Sequence, residues 1–177
     1  RQMRMFSLFF TRAAAILVVP LLISSLFFSY LYYTTGRNVK TGASVVFAEI
    51  SSMPGTITRL VLPDQSVVWL NAGSRLVYPS VFDEKERKVQ LFGEGYFEVE
   101  ADPEHPFSVS TSEGLRVIAY GTKFNVNAYD DEPFIEAVLE KGKIDVIRND
   151  ERIRLEPNKQ VVLNKESGVF RVSAVNL

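Results

Sequence analysis

The chain has 177 residues, of which 46% are hydrophobic and 23% are charged, so it is globular and can form one compact domain with an appended segment. It contains no cysteine and a single histidine, His105, which excludes disulfides, thiol catalysis, thiolate metal ligands and any site that needs two imidazoles within one chain. All five charged residues before residue 49 are basic. From residue 49 onwards there are 15 basic and 21 acidic residues, so this portion has a net charge of 15 − 21 = −6. Nucleic acid is therefore not an expected partner of the acidic portion.

An apolar stretch, AAAILVVPLLISSLFFSYLYY, covers residues 13–33 without a charge. As a helix that rises ~1.5 Å per residue it would be roughly 30 Å long, which matches the hydrocarbon core of a bilayer. Three tyrosines lie where an interfacial aromatic belt is expected: Tyr30, Tyr32 and Tyr33. We interpret the stretch as a single-pass transmembrane helix. A buried core helix would need a larger protein around it, and a cleaved signal peptide would need a shorter apolar run and a cleavage site, which TTGRNVKTG lacks.

Basic residues are more numerous before this stretch than behind it, with Arg1, Arg4 and Arg12 against Arg37 and Lys40. By the positive-inside bias, this asymmetry places the N-terminus in the cytoplasm and the rest in the periplasm, anchored in the inner membrane. We expect a cytoplasmic juxtamembrane end over 1–12, the transmembrane helix over 13–33, a linker over 34–48 and a periplasmic all-β domain over 49–177. Because the first residue is not methionine and the last residues, SAVNL, carry no turn chemistry, we expect a fragment of a longer protein.

Short runs of alternating apolar and polar residues follow the linker, among them TITRLVL, YFEVE and FNVNAY. Turn-forming clusters such as PDQS, NAGS and KGK separate them. Strands of about five residues at this spacing are typical of an all-β domain, and no stretch after Lys40 has a convincing helical period.

The pattern F-x-V-x-A-x4-P-F occurs twice with an offset of 27 residues, starting at Phe97 and again at Phe124. A fainter third copy lies one step earlier, at Leu70, Ala72 and Pro79. A fixed offset of this size indicates stacked units, so we predict a β-roll or short β-solenoid. In such a fold the strands around Phe97 and Phe124 pair in parallel, with Val99 beside Val126. The alternative is a two-sheet β-sandwich in which the match is accidental.

Candidate catalytic and metal-binding groups are few. Glu98 and Glu100 alternate with Phe97 and Val99, which is the spacing of a solvent face on a strand, and Glu94 between two glycines is typical of a turn. His105 has Asp102 and Glu104 nearby, but neighbours on a proline-bracketed loop rarely converge on one ion. No nucleophile elbow or phosphate-binding glycine loop is present. The sequence predicts no catalytic, metal or cofactor site, and hence no enzyme.

The only tryptophan stands in LPDQSVVWLNAGSRLVYP, residues 62–79. In VVWL both strand faces are apolar, so we expect Trp69 to be covered from both sides and to belong to the core. The alternative is a small-molecule stacking site made by Trp69 and Tyr78.

The same stretch, followed by RKVQLFGEGYFEVEADPEHPFSV, YGTKFNVNAYDD and LEKGKIDV, resembles the periplasmic domain of FecR-type anti-sigma factors from about residue 52 to residue 146. We expect the matching positions to be mainly structural. They are Pro63, Asp64, Ser66, Trp69, Leu70, Asn71, Ser74, Gly93, Glu94, Phe97, Val99, Pro106, Phe107, Gly121, Thr122, Phe124 and Val126. Gln65 stands where the family usually has glycine. It costs roughly 1 kcal/mol or more if the turn needs a positive φ there, whereas a Pro-Asp type I turn needs none.

The resemblance implies a non-enzymatic sigma regulator without a cofactor. Its partners would be an extracytoplasmic-function sigma factor, held by a cytoplasmic region mostly absent here, and an outer-membrane TonB-dependent transducer, contacted by a C-terminal region beyond residue 177. The signal would pass through the single membrane helix by protein contact and regulated proteolysis of the anchor. One alternative function is a membrane-tethered periplasmic module that binds carbohydrate or another envelope polymer. A cupin-like enzyme is a weaker alternative, since one histidine is too few.

Overall fold

A computed structural model describes residues 20–31 and 45–175 of the chain. Residues 20–31 form one helix, α1. Thirteen strands lie within residues 45–175: β1 (Phe47–Ser51), β2 (Thr58–Val61), β3 (Val67–Leu70), β4 (Arg75–Pro79), β5 (Arg87–Glu98), β6 (Phe107–Ser110), β7 (Arg116–Ala119), β8 (Lys123–Ala128), β9 (Phe134–Lys141), β10 (Ile144–Arg148), β11 (Glu151–Leu155), β12 (Lys159–Asn164) and β13 (Phe170–Ala174). The prediction of an all-β domain is confirmed for this portion.

Helix α1 exposes its apolar side chains, including Leu21, Ile23 and Phe28, each by more than half of its surface. Within residues 20–31 and 45–175, no helix has the length and apolar character that crossing a membrane requires. The remainder of the predicted span, residues 13–19 and 32–33, lies outside the described residues.

The long strand β5 organises the β domain because it belongs to two arms of one curled sheet. Its first half pairs with β4 and β6, and its second half pairs with β3 and β8. The first arm has the order β1-β4-β5-β6-β7-β10-β11, and the second has the order β2-β3-β5-β8-β9-β12-β13. The arms diverge at Gly93, where φ is +86° and a Cβ would lie 2.6 Å from Ser74 Oγ. Only glycine fits this bend without displacing its neighbours.

One hydrophobic core fills the inside of the curl. Alternate residues of each strand point inward, as the burial pattern of β5 shows most regularly. Rings from both arms meet in the centre: the Phe97 ring stacks on Phe124 at 5.1 Å and lies 6.2 Å from Phe107. All three phenylalanines are fully buried. The two arms are therefore held by the shared core as well as by the shared strand.

The predicted solenoid is wrong. Phe97 does lie opposite Phe124, but β5 and β8 are antiparallel, and Val126 faces Gly95 instead of Val99. Among the described strands, only β5 and β6 pair in parallel. A two-sheet sandwich also fails as a description, because β5 runs through both arms and joins them into a single half-barrel. Two strands with the pattern Phe-polar-Val can place their phenylalanine rings side by side whether they pair in parallel or antiparallel. The 27-residue match therefore does not show that the strands belong to stacked solenoid coils.

Candidate functional site

The Leu-Pro-Asp-x-Ser turn is closed by its own side chains. Ser66 donates its backbone N–H to Asp64 Oδ1 at 3.1 Å and its hydroxyl to Asp64 Oδ2 at 2.6 Å. The Ser66 hydroxyl also accepts the backbone N–H of Glu100, which follows β5. The turn between β2 and β3 is thereby tied to the end of the central strand.

Arg87, at the start of β5, completes this junction from inside the protein. Its side chain is only 5% exposed, and Nη1 donates to Asp64 Oδ2 at 2.6 Å and to the Glu100 carbonyl at 3.1 Å. Nε donates to the His105 carbonyl at 2.8 Å, and the guanidinium lies 5.6 Å from the centre of the Phe107 ring. We call Asp64, Ser66 and Arg87 the turn junction. It fastens together the β2–β3 turn, both ends of β5 and the loop before β6.

The sequence analysis missed Arg87, although a signal for it exists. Arg87 has the same strand parity as Val89 and Leu91, so the alternation of RKVQLF places it on the inward face. A charged residue at an inward position needs an opposite charge and hydrogen bonds. Asp64 of the turn motif provides this opposite charge.

Gly121 and Thr122 of the motif lie next to the turn junction. Val99 donates its N–H to the Thr122 carbonyl at 2.9 Å. Gly121 has a φ of +99°, and a Cβ there would lie 2.7 Å from the Cβ of Ala101. Pro106 contributes its carbonyl to the N–H of Arg87 at 2.9 Å. Gly121 and Thr122 therefore hold the chain just after β5, by close packing and by a backbone hydrogen bond, and Pro106 holds the start of β5.

A second polar group surrounds Glu94. The Glu94 carboxylate accepts a hydrogen bond from Nδ2 of Asn71 at 2.6 Å and from Nδ2 of Asn125 at 2.8 Å, which connects β5 to β8 and to the turn after β3. The Ser74 hydroxyl accepts the N–H of Glu94 at 2.8 Å and lies 3.1 Å from the Tyr129 hydroxyl. We call Asn71, Ser74, Glu94, Asn125 and Tyr129 the Glu94 cluster. It holds the strands where β5 bends at its glycine.

Six further motif residues belong to the core. Their side chains are at most 8% exposed: Leu70, Phe97, Val99, Phe107, Phe124 and Val126. The sequence motif thus divides among the turn junction, the Glu94 cluster, the bend and ends of β5, and the core. Trp69 and the exposed Pro63 lie outside these groups.

Trp69 does not lie in the core, so that prediction is wrong. In β3 the fully buried Val68 and Leu70 point inward, which turns Trp69 to the outer face, where it is half-buried. Its ring lies 5.6 Å from Tyr96 in an edge-to-face arrangement and 5.6 Å from the Arg59 guanidinium. Tyr78 packs against the core, so the alternative, a stacking site made by Trp69 and Tyr78, is not brought together either. The Tyr96 hydroxyl donates to Glu140 at 2.7 Å, and burial and this carboxylate raise the pKa of Tyr96.

The outer face of the first arm carries a buried carboxylate between two arginines. Asp145 is 1% exposed and accepts hydrogen bonds from Arg152 and Arg154, both about half exposed or more. The bond from Arg154 is the main cause that lowers the pKa of Asp145 to about 2, with Arg152 contributing. This group ties β10 to β11, and the sequence analysis did not identify it.

The carboxylates considered for catalysis are spread over several environments. Glu98 pairs with Lys123 at 2.7 Å, and Glu94 is occupied by the two amides of its cluster. His105 Nδ1 lies 2.8 Å from Asp102 Oδ2, so this neighbouring pair does meet on the loop. Within residues 20–31 and 45–175 no three histidine, aspartate or glutamate side chains are placed to hold one metal ion.

Comparison with known proteins defines the class. The family described as FecR protein matches residues 48–145, and the chain belongs to this family. Two crystal structures of candidate anti-sigma factors from Parabacteroides distasonis ATCC 8503, at 2.50 and 1.65 Å resolution, are similar in fold, with TM-scores of 0.72 and 0.70 and 34% identity each. The similarity covers 74% and 73% of this chain but 61% and 60% of those chains. No curated protein matches the chain.

Proposed function

We propose that this chain is the anchor and middle domain of a transmembrane anti-sigma factor. The domain would relay the state of an outer-membrane TonB-dependent transducer to a cytoplasmic sigma factor of the extracytoplasmic-function class. The observation that carries this proposal is the FecR match over residues 48–145, together with two anti-sigma relatives of the same fold. Their family is regulatory, and the turn junction and the Glu94 cluster use their polar groups to hold strands together.

The apolar stretch over residues 13–33 supports a location in the inner membrane. Within it, α1 exposes apolar side chains, which suits a surrounding of lipid better than water. The arginines before the stretch favour a cytoplasmic N-terminus and a periplasmic β domain.

The architecture of the β domain suits a relay by contact. Both arms share β5 and one core, so a force or a partner at one arm acts on a single packed unit. The domain would then pass a partner's state towards the membrane segment without any chemical step.

The topology can be tested with a reporter that is active only in the periplasm. Fused after Leu177 it should be active, and fused before Arg1 it should be inactive. The reverse pattern would refute both the orientation and the relay.

The sigma-factor partner can be tested on the intact protein in its own bacterium. Purification of the membrane-bound protein should recover a sigma factor, and deletion of residues 49–177 from the gene should change the transcripts that this sigma factor controls. If no sigma factor is recovered and no transcript changes, the anti-sigma function is wrong. The Asp131→Asn variant, altered only at an exposed loop position, serves as the control and should behave as wild type.

A second candidate function is favoured by Trp69. Its partly buried ring lies beside Tyr96 on the outer face of the second arm, and aromatic rings on a sheet face can stack on sugars. A tethered carbohydrate- or envelope-polymer-binding module would lose binding to peptidoglycan fragments in Trp69→Ala while keeping its melting temperature within a few degrees. If the protein is only a relay, the wild type should not bind peptidoglycan fragments.

A further inference from the structure

An open cavity of about 470 Å³ lies beside the turn junction. Its walls come from the β2–β3 turn, from the segment after β4 and from the loop before β6. Val81 and Phe82 supply apolar surface, and Val81 is 72% exposed. A ligand that enters would therefore bury apolar area at the rim.

Arg87 forms part of this wall and has an unused hydrogen-bond donor. The residue is 4% exposed, and its Nη2 has no acceptor among the described residues, whereas Nε and Nη1 are both bonded. An unsatisfied buried donor costs about 1 to 3 kcal/mol. Nη2 has almost no exposed surface, so a ligand oxygen reaches it only when the cavity wall shifts, and it would then recover part of that cost.

The charges around the cavity decide what kind of oxygen this can be. Asp64 already neutralises Arg87, and Asp83, Glu84 and Asp102 add further negative charge to the walls. A carboxylate or phosphate would be repelled, while a neutral carbonyl would not. The same carboxylates attract a cation.

We propose that the cavity receives a lysine or arginine side chain from an extended segment of a partner protein. A backbone carbonyl of that segment accepts a hydrogen bond from Arg87. The methylene groups of the basic side chain pack on Val81 and Phe82, and its charge lies near Asp83 and Glu84. Such binding does not require a sigma factor, so the site and the relay can be tested separately.

The test uses the full chain in detergent micelles and N-acetyl-arginine N-methylamide as the probe, because it carries both a guanidinium and peptide carbonyls. Titration followed by NMR should give saturable shifts of the Val81 and Phe82 amides and of the Arg87 Nε–H signal. The norleucine analogue, which keeps the carbonyls and the methylene groups but has no charge, should bind more weakly, and the glutamate analogue should give no saturable shifts. Equal binding of the glutamate analogue, or an absence of saturable shifts with the arginine probe, would overturn the proposal.

Two surface variants separate this site from general charge attraction. Asp83→Asn with Glu84→Gln should weaken binding of the arginine probe about three- to tenfold, since two exposed ion pairs are lost. The matched control is Asp131→Asn with Glu132→Gln, an exposed acidic pair on another loop, which should leave the affinity unchanged. Equal losses in the two double variants would show that only the net charge matters and would refute the site.

Discussion

Replacement of Gln65 by glycine is expected to stabilise the β domain. Gln65 has a φ of +70°. Its N–H donates to the Leu62 carbonyl at 3.0 Å and so closes the turn made by Pro63 and Asp64. The Leu62 N–H in turn donates to the Ser66 carbonyl at 2.8 Å. This is the three-residue hairpin loop in which a type I turn is followed by a left-handed residue. The Pro-Asp turn itself needs no positive φ, but the residue after it does.

The magnitude follows from two opposing contributions. A residue with a Cβ in the left-handed region costs about 1 to 2 kcal/mol. Glycine relieves this strain but loses about 0.5 to 1 kcal/mol more backbone entropy on folding. The side chain of Gln65 is exposed, so its removal sacrifices little packing. From the middle of both ranges the net gain is about 0.75 kcal/mol, which raises the melting temperature by about 1.5 to 3 °C.

Thermal unfolding of the full chain in detergent micelles can be followed by fluorescence of Trp69, the only tryptophan, which lies in the strand after this loop. The matched control is Gln90→Gly in β5, an exposed strand position outside the positive-φ set, which should lose about 0.5 to 1 kcal/mol. If both glycine variants lower the melting temperature alike, the strain assigned to Gln65 does not exist.

Three further predictions concern the polar and close-packed positions. Arg87→Leu should lower the free energy of unfolding in urea by about 3 to 5 kcal/mol, because it leaves the Asp64 carboxylate buried without its cation; a loss below 1 kcal/mol would contradict this role. Gly121→Ala should destabilise more than Gly114→Ala, since both have positive φ but only the first has an atom within 4 Å of the new Cβ; equal losses would show that the neighbouring chain yields freely. The lowered pKa of Asp145 stabilises the fold above the unfolded value of 3.8, and this contribution should disappear as the pH falls through about 2. Asp145→Asn should flatten the acid limb of the stability–pH curve, and an unchanged limb would rule out the arginine pair as its cause.

Local patterns in the sequence determined the all-β class and the family. Alternation in YFEVE and FNVNAY places Phe97 and Phe124 on inward faces wherever those strands lie, because successive side chains of a strand point to opposite faces. The Leu-Pro-Asp-x-Ser turn closes on its own aspartate and serine within a few residues, so its conformation depends little on the rest of the fold.

Pairing between distant strands was decided only by the tertiary structure. The alternation of apolar and polar residues predicts which side chains share a face of a strand. It does not predict which strands are neighbours or in which direction they run, so it could not distinguish the antiparallel β5–β8 pair from stacked parallel coils. Trp69 is the second case: both faces of VVWL are apolar, and the contacts of Val68 and Leu70 with the core selected the face that turns outward. Arg87 is the third, because its buried charge is acceptable only where Asp64, 23 residues earlier in the chain, folds back to meet it.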